Sequence, residues 1–290
     1  MTALGSSVAW SEWSARHRRY VLVLRRGQTT TRPRVPLRRQ AFDADLGTDL
    51  RGRQNLVYTR CRHPRPGIGS DLEFPNVSSG CRIFMYRVGA RRETRLRVPE
   101  GRIVAPSLAG DSIVFGRQKQ PGGRVTIVRR QLDGGPETVL NRGRSGERPV
   151  TIDAGPGRAV VSWVQDAVDA ATCNDDVRVT DDPLRTRLAL VIGRRATTLA
   201  QGCFTSPLSL AVFGSFTGQN VSFFQQRFDQ PAAQAFTLQT VNKTGTHLAT
   251  TSLPDRSPYW LQASSSAVVF SIGTNGSSQV TIASVPLIRQ

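Results

Sequence analysis

Short apolar runs that end in an aromatic residue recur along the chain, between clusters of turn-forming residues. The clearest run is Ile113-Val114-Phe115, which follows Gly110, and comparable runs end at Trp10, Tyr58, Trp163, Phe223 and Phe270. Short runs rich in β-branched and aromatic residues, bounded by Gly, Pro and Ser, are typical of β-strands. Long stretches with helical spacing of apolar residues are missing from the sequence. The pattern therefore predicts an all-β chain.

The aromatic residues also mark a repeat, since they are spaced by 48, 57, 48, 60 and 47 residues. A second apolar run follows each of these aromatic residues, and a more polar run often comes next. A further predicted strand precedes several of the aromatic residues. Four short antiparallel strands in a unit of about 40–50 residues are typical of a β-propeller, whereas a β-sandwich has no such period. We predict one β-propeller domain over residues 1–290, a six-bladed β-propeller of four-stranded antiparallel blades. The predicted blades are 5–40, 41–99, 101–141, 148–202, 205–254 and 257–288.

The first repeat begins directly at its second strand, VAWSEW, with seven residues before it. Propellers usually close their ring by combining N- and C-terminal strands in one blade. We therefore expect the first blade to be incomplete at the N-terminus, with an upstream segment supplying the inner strand and an export signal. The alternative is that the C-terminal segment completes the ring by itself.

Positive charge is concentrated in the first half of the chain. Residues 1–150 hold 29 of the 39 basic and 12 of the 21 acidic residues, a net of +17, while residues 151–290 hold 10 and 9, a net of +1. Such asymmetry indicates an anionic partner. Lys119 and Lys243 are the only lysines, and this arginine bias is typical of a GC-rich genome, which does not explain the asymmetry between the halves. Without a run of about 18 apolar residues, no transmembrane segment is predicted.

The four cysteines predict disulfides and therefore an oxidising compartment. Cys61 and Cys81 flank the insertion that lengthens the second repeat, and a bridge at its base would reduce the entropy of that loop. Cys173 and Cys203 form the second candidate pair. Reduced thiols in a cytosolic protein are the alternative. Zinc is less favoured, since no C-x-x-C spacing occurs.

Motifs that would indicate catalysis are missing: there is no G-x-S-x-G, no H-E-x-x-H and no phosphate-binding loop. The three histidines, His17, His63 and His247, fall in predicted turns or loops and are expected at the surface. No catalytic residue or cofactor is therefore predicted. Asp43, Asp45 and Asp49 have spacing that could present carboxylates to Ca²⁺. The favoured interpretation is that Asp43 and Asp45 share one face of an inner strand that lines a solvated channel.

Arginines provide candidate anion-binding groups, because guanidinium forks match phosphate and carboxylate. Aromatic residues are not interleaved with them, so nucleic acid is not the expected partner. A solvated basic surface without a ligand is the alternative. The candidates lie in the first hairpin, in the second repeat's loop and on its outer strand: Arg16, Arg18, Arg19, Arg60, Arg62, Arg65, Arg91 and Arg92.

Two segments carry a family resemblance. SLAGDSIVFGRQ…GGRVTIVRRQLDGGPETVL (107–140) resembles one blade of the TolB-like, WD-related propellers, including the turn Leu132-Asp133-Gly134-Gly135. FDADLGTDLRGRQNLVYTRC…GCRIFMYRV (42–88) resembles a blade of secreted actinobacterial proteins of this type. The resemblance implies a β-propeller fold and, through the second segment, a secreted protein.

Together these features favour a non-catalytic, monomeric scaffold that is secreted or associated with the cell envelope. Its partner would be a protein or an acidic envelope polymer, bound through the arginines of the first three blades or through loops 62–80 and 166–182. The alternative is a propeller-type hydrolase or lyase with its site at the mouth of the channel, since one fold hosts many functions.

Overall fold

The computed structural model describes residues 2–63, 78–165, 185–203, 210–226, 236–252, 258–263, 267–273 and 280–286. All regular elements in these ranges are β-strands, arranged as separate antiparallel sheets of consecutive strands. The chain divides into two compact units. Unit 1 comprises Met1–Ser145 and Ala154–Arg158, and unit 2 comprises Gly146–Asp153 and Ala159–Gln290. The all-β prediction is confirmed.

Unit 1 contains three four-stranded sheets. Sheet 1 consists of β1 (Thr2–Leu4), β2 (Ser7–Ser14), β3 (Arg19–Arg26) and β4 (Thr29–Thr31). Sheet 2 consists of β5 (Asp45–Thr48), β6 (Gln54–His63), β7 (Ser79–Arg87) and β8 (Arg92–Arg95). Sheet 3 consists of β9 (Arg102–Ala109), β10 (Ser112–Gln118), β11 (Val125–Gln131) and β12 (Thr138–Arg142).

The remaining sheets belong mainly to unit 2. Sheet 4 consists of β13 (Glu147–Gly155), β14 (Arg158–Gln165), β15 (Arg185–Ile192) and β16 (Arg195–Cys203). Sheet 5 consists of β17 (Leu210–Thr217), β18 (Asn220–Gln226), β19 (Phe236–Val241) and β20 (His247–Ser252). Sheet 6 has three strands: β21 (Pro258–Ala263), β22 (Ala267–Gly273) and β23 (Val280–Pro286).

Two sequence predictions about the strands need correction. Within the described residues five sheets have four strands and the last has three, so five four-stranded blades are present where six were predicted. The first sheet is also not the incomplete one. Thr2–Leu4 is too short and too weakly patterned to be recognised as a strand, but it pairs with Ser7–Ala9 and is the inner strand of sheet 1.

Apolar faces of neighbouring sheets pack together inside each unit. In unit 1, Leu22, Leu56 and Tyr58 belong to the core between sheets 1 and 2, while Ile83, Ile113 and Phe115 belong to the core between sheets 2 and 3. In unit 2, Val160, Leu188 and Phe223 form the corresponding core of sheets 4 and 5. The aromatic residue that marks each repeat lies on the second strand of its sheet, which is why the repeat was visible in the sequence.

Glycine permits both the tight turns and the close approach of inner strands. Gly110 has a φ of +62° in the turn between β9 and β10, as its place in the repeat predicted. Gly47 lies against β9, and a Cβ added there would be 2.6 Å from the Cβ of Leu108. Among the described residues no helix is long and apolar enough to cross a membrane.

Candidate functional site

The hairpin between β2 and β3 carries a pair of aromatic residues next to its turn, and one of them is exposed. Trp13 and Tyr20 lie directly opposite each other in the antiparallel ladder, so their side chains project from one face. Their rings meet edge to face, with centroids 5.0 Å apart. Tyr20 packs against the core between sheets 1 and 2, whereas Trp13 keeps 52% of its surface exposed. The apolar face of sheet 1 therefore continues as far as the hairpin turn, where the indole of Trp13 is exposed to solvent.

Three of the predicted anion-binding arginines lie in this turn or directly after it. Arg16 and Arg18 lie within turn 15–18, and Arg19 is the first residue of β3. Arg18 has a φ of +49°, and its N–H donates to the carbonyl of Ala15 at 3.3 Å. Within the described part of the chain none of the three forms an ion pair. Arg16 and Arg18 are exposed on the turn, and Arg19 is partly exposed at the start of β3.

Arg38 ties the segment after sheet 1 to the same hairpin. Its backbone accepts a hydrogen bond from Tyr20 N at 2.6 Å, and its N–H donates to the Tyr20 carbonyl at 3.1 Å. The side chain is buried, with the guanidinium carbon 4.6 Å from the centroid of Phe42 and Nη1 3.8 Å from Asp43 Oδ1. Burial lowers the pKa of Arg38, and Asp43 opposes that effect. Arg38 is thus an internal anchor, and its neighbours Leu37 and Arg39 are exposed.

Arg60, another predicted anion-binding residue, has internal partners. Its guanidinium lies over the ring of Phe84, 3.9 Å from the centroid, and forms an ion pair with Glu93. Glu93 also accepts a hydrogen bond from the hydroxyl of the buried Tyr58. Burial, followed by the hydrogen bond and charge of Glu93, raises the pKa of Tyr58 well above its usual range. The charge of Arg60 is therefore neutralised inside the sheet.

Arg62 likewise has a carboxylate partner. Its Nη2 lies 3.4 Å from Glu100 Oε2, and Arg82 donates to the same oxygen from Nε at 2.7 Å. Arg82 and Arg62 therefore share one acidic residue at the end of β6. Arg65 lies outside the described residues.

Arg91 and Arg92 lie at the other end of the strands of sheet 2. Arg91 occupies the turn between β7 and β8 with a φ of +50°, and Arg92 begins β8 directly opposite Arg87. Arg16 and Arg18 lie in the connection between the second and third strands of sheet 1, and the loop between β6 and β7 is the same connection in sheet 2. Arg91 lies instead in the connection between the third and fourth strands of sheet 2. Because successive strands are antiparallel, these connections lie at opposite strand ends. The candidate arginines do not form one patch.

The three aspartates considered as calcium ligands bind protein donors at separate places. Asp43 accepts from the backbone N–H and hydroxyl of Thr59 at 2.9 and 2.6 Å. Asp49 accepts from Arg53 Nε at 2.8 Å and from two backbone N–H groups of its turn. Burial opposes ionisation of Asp49, but the hydrogen bonds from Arg53 outweigh it and lower its pKa to about 2. No group of three potential metal ligands occurs within the described residues.

Asp45 corrects the interpretation that this segment lines a solvated channel. The strand begins at Asp45, so Asp43 precedes it and the two carboxylates do not share a strand face. Asp45 is buried; its Oδ1 accepts from Thr2 Oγ1 at 3.1 Å, and its Oδ2 accepts from Ser107 Oγ and Leu108 N at 2.9 and 3.1 Å. One carboxylate thereby joins the inner strands of three sheets in unit 1.

A second acceptor of this kind, which is partly buried, occurs in unit 2, where sequence reasoning missed it. Asp153 Oδ2 accepts from Ser215 Oγ at 2.6 Å and Phe216 N at 2.7 Å, which joins β13 to β17. Asp45 and Asp153 therefore make the same Ser-hydroxyl and next-residue N–H contacts to the following inner strand. The detectable signal was a hydroxyl residue three positions before the turn glycine, as in Thr2–Gly5, Ser107–Gly110 and Ser215–Gly218.

Charged pairs that cross a sheet form a further repeated feature. Arg117 Nη2 lies 2.6 Å from Glu137 Oε1 in sheet 3. In sheet 4, Arg187 binds Glu147 with two hydrogen bonds of 2.7 and 2.5 Å, and its guanidinium lies 5.4 Å from the ring of Trp163. Both members of the Arg187–Glu147 pair are almost fully buried. Such two-point pairs have the geometry expected for strong arginine–carboxylate recognition.

Cys61 and Cys81 form a disulfide, as predicted. The two residues are direct cross-strand partners on β6 and β7, and the backbone of Cys81 also pairs with Gly101. The bridge closes the base of the inserted loop beyond His63. Cys203 is the last residue of β16, and Cys173 and the predicted Cys173–Cys203 bridge lie outside the described residues.

The three histidines occupy separate exposed positions. His17 lies in the first hairpin turn, and His63 is the last residue of β6. His247 begins β20, where its Nε2 lies 2.7 Å from Thr250 Oγ1. The structure therefore does not bring these histidines together.

Comparisons with known proteins identify the fold and not the family. No model of a known protein family matches the sequence, and a search of curated proteins finds no match. Solved structures do match: the β-propeller domain of the trilobed protease from Pyrococcus furiosus has a TM-score of 0.54 at 10% identity, over 100% of this chain and 84% of that chain. The chain therefore has a β-propeller fold.

TolB is among the similar propellers. TolB from Acinetobacter baumannii has a TM-score of 0.56 at 10% identity, over 97% of this chain and 64% of that chain. An acylaminoacyl peptidase from Pyrococcus horikoshii has a TM-score of 0.53 at 9% identity, over 100% of this chain but only 45% of that one. These likenesses support a TolB-like β-propeller fold, and they do not support the predicted actinobacterial link. Identity this low carries no activity or partner across.

Proposed function

We propose that this protein is a non-catalytic, monomeric β-propeller of the cell envelope or its exterior, which binds an anionic partner through exposed arginines of its first sheet. The observation that carries the proposal is the contrast among the candidate arginines. Arg60 and Arg62 have carboxylate partners, whereas Arg16 and Arg18, which are exposed on a hairpin turn, form no ion pair among the described residues. Only arginines without an internal counter-charge keep their full attraction for an external anion.

The Cys61–Cys81 disulfide supports an extracytoplasmic location. Disulfides persist in oxidising compartments and are rare in the reducing cytosol. The bridge links β6 to β7 at one end of sheet 2, where Ser78 Oγ donates to Gln40 Oε1 at 3.4 Å. This end of sheet 2 is therefore covalently restrained.

The experiment that tests the proposal is a pull-down of cell-wall and membrane fractions across a salt series. We expect binding that weakens steadily as ionic strength rises, because exposed charges are screened beyond about 8 Å at physiological salt. A variant with Arg16→Gln, Arg18→Gln and Arg19→Gln should lose most of this binding. Arg91→Gln with Arg92→Gln and Arg95→Gln is the matched control, since it removes three exposed arginines that do not belong to this hairpin turn, and it should bind like the wild-type protein.

Two results would contradict the proposal. Binding that ignores ionic strength would exclude the arginine surface as its cause. A hydrolase or lyase activity that co-purifies with the protein, and is lost on substitution of one of its own residues, would exclude the non-catalytic role.

A further inference from the structure

One end of sheet 1 combines exposed cations with exposed apolar side chains. We name this surface the basic tip. Its residues are Trp13, Arg16, His17, Arg18, Arg19, Leu37 and Arg39. The backbone pairing of Tyr20 with Arg38, together with the pairing of Trp13 with Tyr20, places three chain segments side by side at this end. The tip is therefore one end of the sheet, formed by a hairpin and a neighbouring segment, with side chains on both faces of the sheet.

The charge of the tip is unusually one-sided. The tip contains four arginines, Arg16, Arg18, Arg19 and Arg39, and no aspartate or glutamate. Among the described residues none of the four forms an ion pair, and the ion pairs of residues 13–40 are Arg32 with Glu12 and Arg38 with Asp43. The four tip arginines therefore keep their charge, which attracts anions over about one Debye length.

Two apolar side chains accompany this charge. Trp13 is 52% exposed and Leu37 is 43% exposed, and the described residues contain three further exposed large apolar side chains, Leu50, Val139 and Ile192. Leu37 immediately precedes Arg38, whose side chain lies on the same face as those of Tyr20 and Trp13, so Leu37 projects from the opposite face at the same end of the sheet. Exposed apolar groups surrounded by cations are typical of surfaces that bind at a membrane interface.

We propose that the basic tip docks on an anionic lipid surface, with Arg16, Arg18 and Arg19 at the headgroup phosphates and Trp13 and Leu37 at the boundary with the acyl chains. Tryptophan is favoured at this boundary because its ring is apolar and its N–H can be solvated. Arginines close to an anionic leaflet each add to the attraction. This inference rests on the proposed function and names its partner as the membrane.

Leu37 distinguishes a membrane from other anionic partners. An acidic polymer or a nucleic acid would use the arginines, and a base could stack on Trp13. The aliphatic side chain of Leu37 has no charge to bind an acidic polymer and no aromatic ring on which a base could stack. At a membrane interface, by contrast, the same side chain can enter an apolar environment. A lipid surface therefore explains both exposed apolar groups and the charge.

The tip is held rigidly enough to dock without refolding. The side chain of Arg38 is 9% exposed and packed over Phe42, and Phe42 N donates to Ser11 Oγ of β2 at 2.5 Å. Tyr20 packs against the core beneath the tip. Preorganisation of this kind reduces the entropy lost on binding.

The test is flotation of the full chain with vesicles of phosphatidylcholine alone or of phosphatidylcholine mixed with an equal amount of phosphatidylglycerol. We expect binding to the anionic vesicles only. Each of Arg16→Gln, Arg18→Gln and Arg19→Gln should weaken it by roughly fivefold, and the triple variant should lose it. The matched control, Arg91→Gln with Arg92→Gln and Arg95→Gln, removes the same formal charge from β8 and the turn before it and should bind normally.

The apolar contribution is tested separately by Trp13→Ser combined with Leu37→Ser. This variant keeps every arginine, so a membrane should be bound more weakly while a soluble polyanion such as polyglutamate is bound equally well. Trp13→Phe provides a spectroscopic readout: we expect anionic vesicles to shift the tryptophan emission of the wild-type protein to shorter wavelength and to leave that of Trp13→Phe unchanged. Circular dichroism of each variant confirms that it is folded.

Several outcomes would overturn the inference. They are equal binding to neutral and anionic vesicles, no binding to either, or an unchanged affinity of the Trp13→Ser/Leu37→Ser variant for anionic vesicles. Absence of vesicle binding together with salt-sensitive capture of wall material would reject the membrane and leave the proposed function standing. Absence of both would reject the two together.

Discussion

Arginine has opposite roles at the basic tip in unit 1 and in the interior of sheet 4 in unit 2. Arg187 is buried, is bound at two points by Glu147 and lies beside Trp163. Arg16 and Arg18 belong to the same residue type, but they are exposed and have no acidic residue in their own hairpin turn. The comparison shows that a high arginine count measures neither stability nor binding, because internal carboxylates neutralise some of these charges.

The largest expected effect comes from breaking the buried pair. Glu147→Ala leaves the Arg187 guanidinium buried without its counter-charge, which we expect to cost about 3–5 kcal/mol in the free energy of unfolding. Urea denaturation measures this change. Glu12→Ala is the matched control, since its partner Arg32 is exposed, and it should cost less than about 1 kcal/mol. Equal losses from the two variants would contradict the distinction between interior and surface arginines.

The next largest effect on the free energy of unfolding is expected at a buried carboxylate that binds neutral donors. Asp45→Asn replaces an acceptor of three hydrogen bonds with an amide whose NH₂ must face a donor. We expect a loss of about 1–3 kcal/mol in the free energy of unfolding, because a buried polar group is left unsatisfied. Ser107→Ala removes one donor to Asp45 and also the acceptor of the Ala154 N–H, so it should cost a similar amount, about 1–3 kcal/mol, in the same measurement. No measurable loss from Asp45→Asn would show that Asp45 is not an important acceptor.

A smaller effect depends on pH and involves a carboxylate paired with arginine at the surface. The pKa of Asp49 is lowered from 3.8 to about 2 in the folded protein. Its contribution to stability is therefore present above the unfolded pKa and is lost as pH falls from about 4 towards 2. Asp49→Asn should be less stable than the wild-type protein at neutral pH, and denaturation at a series of pH values should show the gap closing over that window. A gap that is constant with pH would contradict the role of the ionised form.

The smallest effect is expected at the tip itself. The triple variant Arg16→Gln, Arg18→Gln and Arg19→Gln should change the free energy of unfolding by no more than about 0.5 kcal/mol, because these side chains have no ion-pair partner among the described residues. Thermal and urea unfolding measure the change. A large loss of stability would mean that these arginines serve the fold, which would remove the basis for assigning them to binding.

Some features of the fold could be predicted from the sequence, and others could not. Tyr58, Phe115 and Trp163 were recognisable because each is a large apolar residue at a repeated position, and burial of such residues drives each sheet to pack on the next. The same reasoning predicted the Cys61–Cys81 bridge, since both residues flank one insertion. Thr2–Leu4 was missed because three residues are too few to carry a period.

The candidate site was predicted only in part. The first hairpin turn was correctly located for Arg16, Arg18 and Arg19, because a turn interrupts two apolar runs. The neutralisation of Arg60 by Glu93 could not be predicted, since the partners are 33 residues apart and meet only through the order of β6, β7 and β8. Asp45 was considered as a metal ligand because its spacing was visible, whereas its three donors come from distant inner strands.

The sequence by itself therefore determined the strands, their repeat, the disulfide and the excess of positive charge, since each depends on residue type and local spacing. Tertiary structure decided which charges remain available. Strand pairing brings Glu93 to Arg60 and Glu147 to Arg187, while it leaves Trp13 exposed beside Arg16 and Arg18. The physical reason is that neutralisation and burial depend on distances in space, and distances between residues far apart in the chain are set by the packing of the folded sheets.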